Sequence, residues 1–465
     1  MNTALDGVKI CYIGGGSRNW AWVLIQDLAF EKEITGTIHL YDLKESAARD
    51  NEIIGNRVMA ENNQGRWTFK TAPSLEAALT GSDFVFISIL PGEFAEMAVD
   101  VHEPEKYGIY QSVGDTVGPG GLMRALRTIP QFRDIARAVK AWAPDAWVLN
   151  YTNPMSICTR TLYREFPEIK AFGCCHEVFH TQRLLRTVLE KAGVFPPGSV
   201  RREEIKTRVL GINHFTWIDR ASWKNVDIFP YYAEFAATWG EGGFLAPGEK
   251  NWENDYFSSA ERVKLDLFRR YGLIAAAGDR HLAEFCPHSW YMASPEQVRE
   301  WKYRLTPVSY RIEKQQELEE KAAAYREGKE KLLPVHSGEE GLRILKALLG
   351  LGNLVTNVNL PNQGQMPDFP PGTVVETNAE FSRDTIQPLV SKGLPGEIRN
   401  LTLHHVHNQE GIIEAVFGGD PEKAFRVFLN DFSIQTLGRD QARELFAAMT
   451  AKTLAPGNPL ILPKG

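Results

Sequence analysis

No run of apolar residues in this chain is long enough to cross a bilayer, a passage that takes about 20 of them in a helix. Positive charge is in short supply too. Lys and Arg total 52 against 58 Asp and Glu, a net charge of −6, and no basic tail or patch stands out. That argues against a nucleic acid as partner. Cysteines are few. Cys11, Cys158, Cys174, Cys175 and Cys286 are an odd set without framework spacing. This composition does not fit a secreted disulfide scaffold and leaves the thiols free or on metal. The polar start, Met1 to Lys9, lacks the charged, apolar, small-residue order of a signal peptide. A cytoplasmic protein is expected. Internal repeats and low-complexity tracts are missing as well.

What is present is a globular chain of 465 residues, 43% hydrophobic and 24% charged. That length suits two packed domains better than one core. Val8 to Ile13 is an apolar run ending in Gly14-Gly15-Gly16-Ser17. A helical stretch from Trp20 follows, then a second strand, Thr37 to Tyr41, ending in Asp42. Strand, glycine turn, helix, strand and acid form the dinucleotide-binding pattern. Further strands are expected at Trp67 to Thr71, Ser82 to Ile89, Ala146 to Asn150 and Ile169 to Cys174, with a helix over Ile129 to Ala141. The alternation breaks near residue 190. The expected class is α/β: a Rossmann-type N-terminal domain with a parallel sheet over residues 1–190. An α+β catalytic and oligomerisation domain over 191–465 follows, as in lactate and malate dehydrogenase-like proteins. Helices are expected to dominate from Arg383 onward.

Ligands of such sheets bind at the carboxyl ends of strands, and the chemically interesting residues collect there. Gly14, Gly16 and Ser17 let a pyrophosphate approach a helix start. Asn19 replaces the third glycine of the usual pattern. Asp42 is placed to hold ribose hydroxyls, which favours NAD over NADP. Asn150 and Asn153 end one strand, and Cys175-His176-Glu177-Val178 ends the next. Cys175 and His214 are able to bind a divalent metal, although a buried Cys is more often a small hydrophobe. Gly114-Asp115-Thr116-Val117-Gly118-Pro119-Gly120-Gly121 reads as a loop that closes over substrate, with Arg124 just beyond it. Gly278-Asp279-Arg280-His281 crowds ionisable groups behind an apolar run, where site residues collect.

Together these motifs resemble the family 4 glycoside hydrolases, the NAD- and metal-dependent glycosidases. The matching elements are Gly14 to Ser17, Gly114 to Gly121, Asn153-Pro154, Cys175 to Val178, Asn213-His214 and Gly278 to His281. Cys-His-Glu-Val looks like the α-galacturonidase branch. The resemblance implies a mechanism outside the usual two-carboxylate scheme. Bound NAD⁺ oxidises the sugar at C3, a base takes the C2 proton, the C1 substituent is eliminated, water adds and the hydride returns. It further implies that Cys175 and His214 ligate Mn²⁺ and that Asn153 binds sugar hydroxyls. His176 would be the acid, with Glu177 sharing the role or reading the substrate, and Asp279 or Tyr256 the base. Asp115 would face the substrate. Arg124, Arg280 and His281 would be candidates for a uronate carboxylate. The implied partner is a small galacturonide, and relatives suggest a homodimer or homotetramer.

Three competing readings remain open from sequence. A 2-hydroxy-acid dehydrogenase shares the architecture but needs no metal. A non-catalytic, NAD-binding regulatory or interaction protein is the second, although many ionisable groups at strand ends argue against it. Within the family, α-glucuronidase and α-galactosidase specificities stand closest.

Overall fold

The structure, a computed structural model, describes residues 5–245, 248 and 250–462. The first half alternates strand and helix: β1 (Leu5–Ile13), α1 (Trp20–Leu28), β2 (Ile34–Tyr41), α2 (Glu45–Asn62), β3 (Trp67–Thr71), α3 (Leu75–Leu79), β4 (Phe84–Ile87), α4 (Phe94–His102), α5 (Gly118–Trp142), β5 (Trp147–Asn150), α6 (Met155–Glu165), β6 (Lys170–Gly173) and α7 (Glu177–Lys191). The six strands pair in parallel in the order β3-β2-β1-β4-β5-β6. That is the dinucleotide-binding order, and its reversal between β1 and β4 opens a crevice at the strand ends.

Both faces of this sheet are covered. Ile10, Tyr12, Phe84 and Phe86 pack into one core, while Cys11, Ile13, Val85 and Ile87 pack into another. Successive side chains of one strand point to opposite faces. A strand buried on both sides therefore reads as a continuous apolar run, as β4 does.

The second half begins with a small antiparallel sheet of β7 (Ile205–Ile212), β8 (Phe215–Trp223), β9 (Val226–Asp227) and, after α8 (Phe229–Trp239) and α9 (Arg262–Tyr271), β10 (Ile274–Ala275). Next come α10 (Asp279–Phe285), α11 (His288–Tyr291), α12 (Pro295–Glu300), α13 (Val308–Glu327) and α14 (Gly341–Leu348). The strands β11 (Leu354–Pro361), β12 (Val374–Ser382) and β13 (Thr385–Pro388) then return to the first sheet, where β11 pairs antiparallel with β6. One nine-stranded sheet thus draws on both halves of the chain. Helices α15 (Gly396–Gly418), α16 (Pro421–Leu429) and α17 (Arg439–Thr453) close the fold. Among the described residues no helix is long and apolar enough to cross a membrane.

The sequence reading needs two corrections. Thr385–Pro388 is a strand, so helices take over only after it. The glycine-dense stretch is not a lid. Gly118 to Gly121 form the first turn of α5 and are buried. A Cβ on Gly121 would lie 2.4 Å from the Thr116 carbonyl carbon, and one on Gly120 would lie 2.8 Å from the Gly114 oxygen. These glycines allow two backbone segments to touch.

Candidate active site

The crevice at the ends of β1 and β4 is a cleft of about 550 Å³. Gly14 sits at φ +88°, and a Cβ there would stand 2.0 Å from the Ser88 oxygen. Only glycine fits. The Gly16 amide donates to Asp42 Oδ2 at 2.9 Å, and the Ser17 hydroxyl accepts from the Trp20 amide at the start of α1. Asn51, on the buried face of α2, donates to the Gly15 and Ser17 oxygens at 2.8 and 2.9 Å and accepts from the Trp22 indole. Asn51 does not stand out as a site residue in the sequence. Its signal is an amide on an apolar helix stripe, and the buried amide needs partners. Helix α13 crosses the cleft, where Gln315 and Leu318 join the lining and Glu319 accepts from Arg18 at 3.1 Å.

The cleft runs on to Asp115, Arg124 and Asn153. Here the second half of the chain contributes. β7 and β8 meet at a two-residue turn, Asn213-His214, and His214 holds φ +65°. A left-handed histidine in a tight turn is uncommon, and such backbone persists where its surroundings impose it. His214 Nδ1 lies 3.0 Å from the Thr116 hydroxyl, which donates to Asp115 Oδ1 at 2.7 Å. A hydroxyl has one proton. With it on Asp115, the oxygen accepts from His214 Nδ1–H and the Nε2 lone pair stays free. His281, from α10, stacks on His214 with centroids 3.8 Å apart. Asp115, His214 and His281 bring one donor atom each within 4.8 Å of the others.

Charge follows from burial here. Burial and the His281 charge push His214 down to about 3, and burial also lowers His281. Burial thus favours the uncharged form of both imidazoles, the form that has a lone pair to donate. Burial raises the Asp115 carboxyl, but His281, Arg124 and His214 more than offset it and hold it well below the usual carboxylate range. His281 Nδ1 and Asn153 Oδ1 are buried without a partner. Two imidazoles, one of them with an orphaned nitrogen, and a carboxylate are a donor set that fits a divalent metal.

Cys175 follows β6, buried beside the Asn213 amide. Burial pushes its thiol well up, with Glu376 and Glu177 adding to the effect. Its sulfur is not one of the three donors above. Glu376, on β12, was not singled out from sequence. It is buried and accepts from Asn357 at 2.7 Å and Thr216 at 2.8 Å. An acid inside the apolar strand Thr373 to Thr377 was the signal.

Sequence models of the family 4 glycosyl hydrolases match residues 9–191, and those of the family's C-terminal domain match residues 209–434. The chain belongs to this family. The α-galacturonidase of Thermoanaerobacterium saccharolyticum is 55% identical over 447 residues, 96% of either chain. A Bacillus subtilis crystal structure, 49% identical, covers 96% of this chain and 100% of its own at a TM-score of 0.91. The 6-phospho-α-glucosidase from gut microorganisms, solved with NAD and Mn²⁺, shares the fold at 18% identity and a TM-score of 0.79, covering 96% of this chain and 98% of its own. Family membership displaces the 2-hydroxy-acid dehydrogenase reading.

Other family 4 motif residues are placed unevenly. His176 takes the position just before α7 without a side-chain capping bond, and its ring lies 5.5 Å from Trp20 on the cleft wall. Its Nε2 is 3.8 Å from Glu177 Oε1. Glu177 accepts from the Gly278 amide at 2.7 Å, which ties α7 to the start of α10. Arg124 Nε donates to the Asn153 oxygen at 3.1 Å.

Three residues stand away from the cleft. Asp279 accepts from the Val263 and Lys264 amides at 3.2 and 3.0 Å, so its carboxylate caps α9. Burial and the Glu261 charge raise it to about 7. A base needs that range, but its oxygens point at a helix start, and geometry decides. Tyr256 lines a separate cavity with Trp252 and Arg304, the latter 3.9 Å above its ring. Asn150 is fully buried, and its amide folds back on Thr152 at 2.9 and 3.1 Å, shaping the loop that carries Asn153. Glu284 supports the other loop. It accepts from the Val113 and Gly114 amides at 2.7 and 2.9 Å, a role not evident from sequence.

Proposed function

We propose that the chain is an α-galacturonidase that acts with NAD⁺ and Mn²⁺ on small α-linked galacturonides in the cytoplasm. The carrying observation is the cleft itself. It starts at a glycine turn shaped for a dinucleotide and ends at Asp115, Arg124 and Asn153, beside His214 and His281. The 55% identity to an α-galacturonidase supports the substrate.

When bound, the nicotinamide supplies a reversible hydride acceptor and the metal a cation beside developing negative charge. The rest falls to the chain. Gly14, Gly16 and Ser17 present backbone to the pyrophosphate, and Asp42 faces the ribose. His214 would hold the metal through Nε2, its tautomer set by Thr116. Asp115 and His281 would offer the two donor atoms grouped with it, and Cys175, after β6, would be a further ligand. Asn153, anchored by Arg124, offers its unpartnered oxygen to a sugar hydroxyl. His176 transfers protons at the margin of the cleft, and Glu177 orients it. Asp279 and Tyr256 are not assigned as base, because neither faces this cleft.

Hydrolysis of p-nitrophenyl α-galacturonide, α-glucuronide and α-galactoside, with NAD⁺, Mn²⁺ and a thiol, tests the reading. The galacturonide should turn over fastest by orders of magnitude. Equal rates on galactoside and galacturonide would refute the assignment.

A further inference from the structure

Arg124 lines the far end of the cleft, Arg280 and Arg311 lie in the field of its Asp115, and none of the three has a carboxylate within 4.0 Å among the described residues. The contrast with Arg127, one turn beyond Arg124 on α5, is plain, since Arg127 pairs with Asp100. Two of the three are spent on backbone or hydroxyl acceptors. Arg124 Nε donates to the Asn153 oxygen. Arg280 Nη2 donates to the Ser112 oxygen at 2.9 Å and the Thr306 hydroxyl at 2.5 Å. The third, Arg311, has no hydrogen-bond acceptor among the described residues, and its Nε is buried without a partner.

Arg311 lies in the first turn of α13. Gln315 and Leu318 follow it at the i+4 and i+7 positions, and both line the cleft. Residues at that spacing share a helix face, so Arg311 stands on the cleft-facing side of α13, one turn before Gln315. Its charge is felt together with those of Asp115, Arg124 and Glu284. Phe257 forms a plate beneath it: the guanidinium carbons of Arg280 and Arg311 stand 5.1 and 5.8 Å from that ring's centre. Two like charges held together with no carboxylate paired directly to either are costly. A planar guanidinium with free donors is the group that takes a carboxylate in two parallel bonds.

We infer that Arg311, shelved on Phe257 beside Arg280, is the specificity-determining residue that receives the C6 carboxylate of the sugar. This rests on the galacturonide reading above. Arg280, fixed to Ser112 and Thr306, supplies field rather than the fork. Arg311 sets the choice between a uronide and its neutral counterpart, and the chemistry at C1 to C3 lies elsewhere.

Calorimetric titration of D-galacturonate and D-galactose into the NAD⁺-loaded enzyme tests this, alongside kcat and KM on the α-galacturonide. Wild type should bind galacturonate more tightly than galactose. Arg311→Gln should bind galacturonate about 100-fold more weakly, the loss expected when a charged hydrogen-bonded pair goes unmade. Its galactose and NAD⁺ affinities should be unchanged, and its KM on the uronide should rise more than its kcat falls. Arg311→Lys, which keeps the charge without the fork, should fall between. Galacturonate binding at wild-type strength in Arg311→Gln overturns the role of Arg311 and leaves the galacturonidase reading standing. A wild-type enzyme that binds no galacturonate and hydrolyses only neutral sugars overturns both.

Discussion

His281 lies face to face with His214, their ring centres 3.8 Å apart and their planes 29° from parallel. One comes from a hairpin turn of the small sheet and the other from the start of α10. Asp115, which closes the group, comes from the loop ahead of α5. Three segments remote in sequence thus converge where the dinucleotide cleft ends.

Mn²⁺ should therefore stabilise the protein against unfolding, because a ligand that binds only the native state adds about 2.7 kcal/mol at a hundredfold excess over its Kd. In a thermal melt the midpoint should rise with Mn²⁺ in wild type and stay put in His214→Ala. NAD⁺ binding should survive the substitution. A Mn²⁺-dependent midpoint in His214→Ala would show that this histidine is not a ligand.

Cys175→Ser should abolish metal-dependent turnover with NAD⁺ affinity retained. Cys174→Ser should be much milder, since Cys174 interacts with Tyr151 and packs against the apolar core. Like behaviour of the two variants in a steady-state assay would remove Cys175 from the metal site.

Gly14→Ala should lose NAD⁺ binding by at least about tenfold, because a Cβ 2.0 Å from the Ser88 oxygen forces the loop off β4 and a misplaced loop forfeits more than one hydrogen bond. Asn51→Leu should weaken NAD⁺ as well by freeing the Gly15 and Ser17 oxygens. Fluorescence titration gives both constants, and wild-type affinity in either variant contradicts the loop geometry.

Asp279→Ala should cost about 1–3 kcal/mol of stability, the usual penalty for leaving buried amides unpaired, with kcat changed only modestly. Denaturant unfolding and steady-state kinetics separate the effects. A loss of several orders of magnitude in kcat at unchanged stability would restore Asp279 as the base.

Acid sensitivity should have a contribution from His405. Burial pushes it down to about 3 from an ordinary value of 6.5, and its Nε2 meets the Phe285 oxygen at 2.7 Å. The unfolded chain takes up this proton between those values and the native chain does not. Stability from this group is whole above about pH 6.5 and falls as pH drops toward 3, by up to about 1.4 kcal/mol per unit. His405→Gln should flatten the pH dependence of unfolding by about one proton, and an unchanged slope contradicts the assignment.

Much of this was legible in the residues because local rules wrote it. The runs Val8 to Ile13 and Phe84 to Ile87 are strands buried on both faces, and their apolar continuity shows it. Ser74 caps α3 by accepting from the Ala77 amide, as its type suggests. The pairing of β11 with β6 was not legible, because an antiparallel return from residue 354 leaves no local trace. Nor was the true role of Gly118 to Gly121. Glycine density signals freedom in a loop and close contact in a packed helix start equally well. Asp279 misled for a related reason: an acid after an apolar run marks a site or a helix cap, and only the third dimension distinguishes them. Arg311 lay unnoticed inside a charged helix, where one unpaired cation looks like its neighbours.

The central claim is tested most directly by following α-galacturonide hydrolysis in D₂O by NMR, with NAD⁺ and Mn²⁺ present. The mechanism that the family resemblance implies breaks the C2–H bond. Galacturonate carrying deuterium at C2 is the predicted product, and its formation should stop when either cofactor is withdrawn. A product that keeps its C2 proton, or hydrolysis that proceeds unchanged without NAD⁺ and metal, contradicts the account.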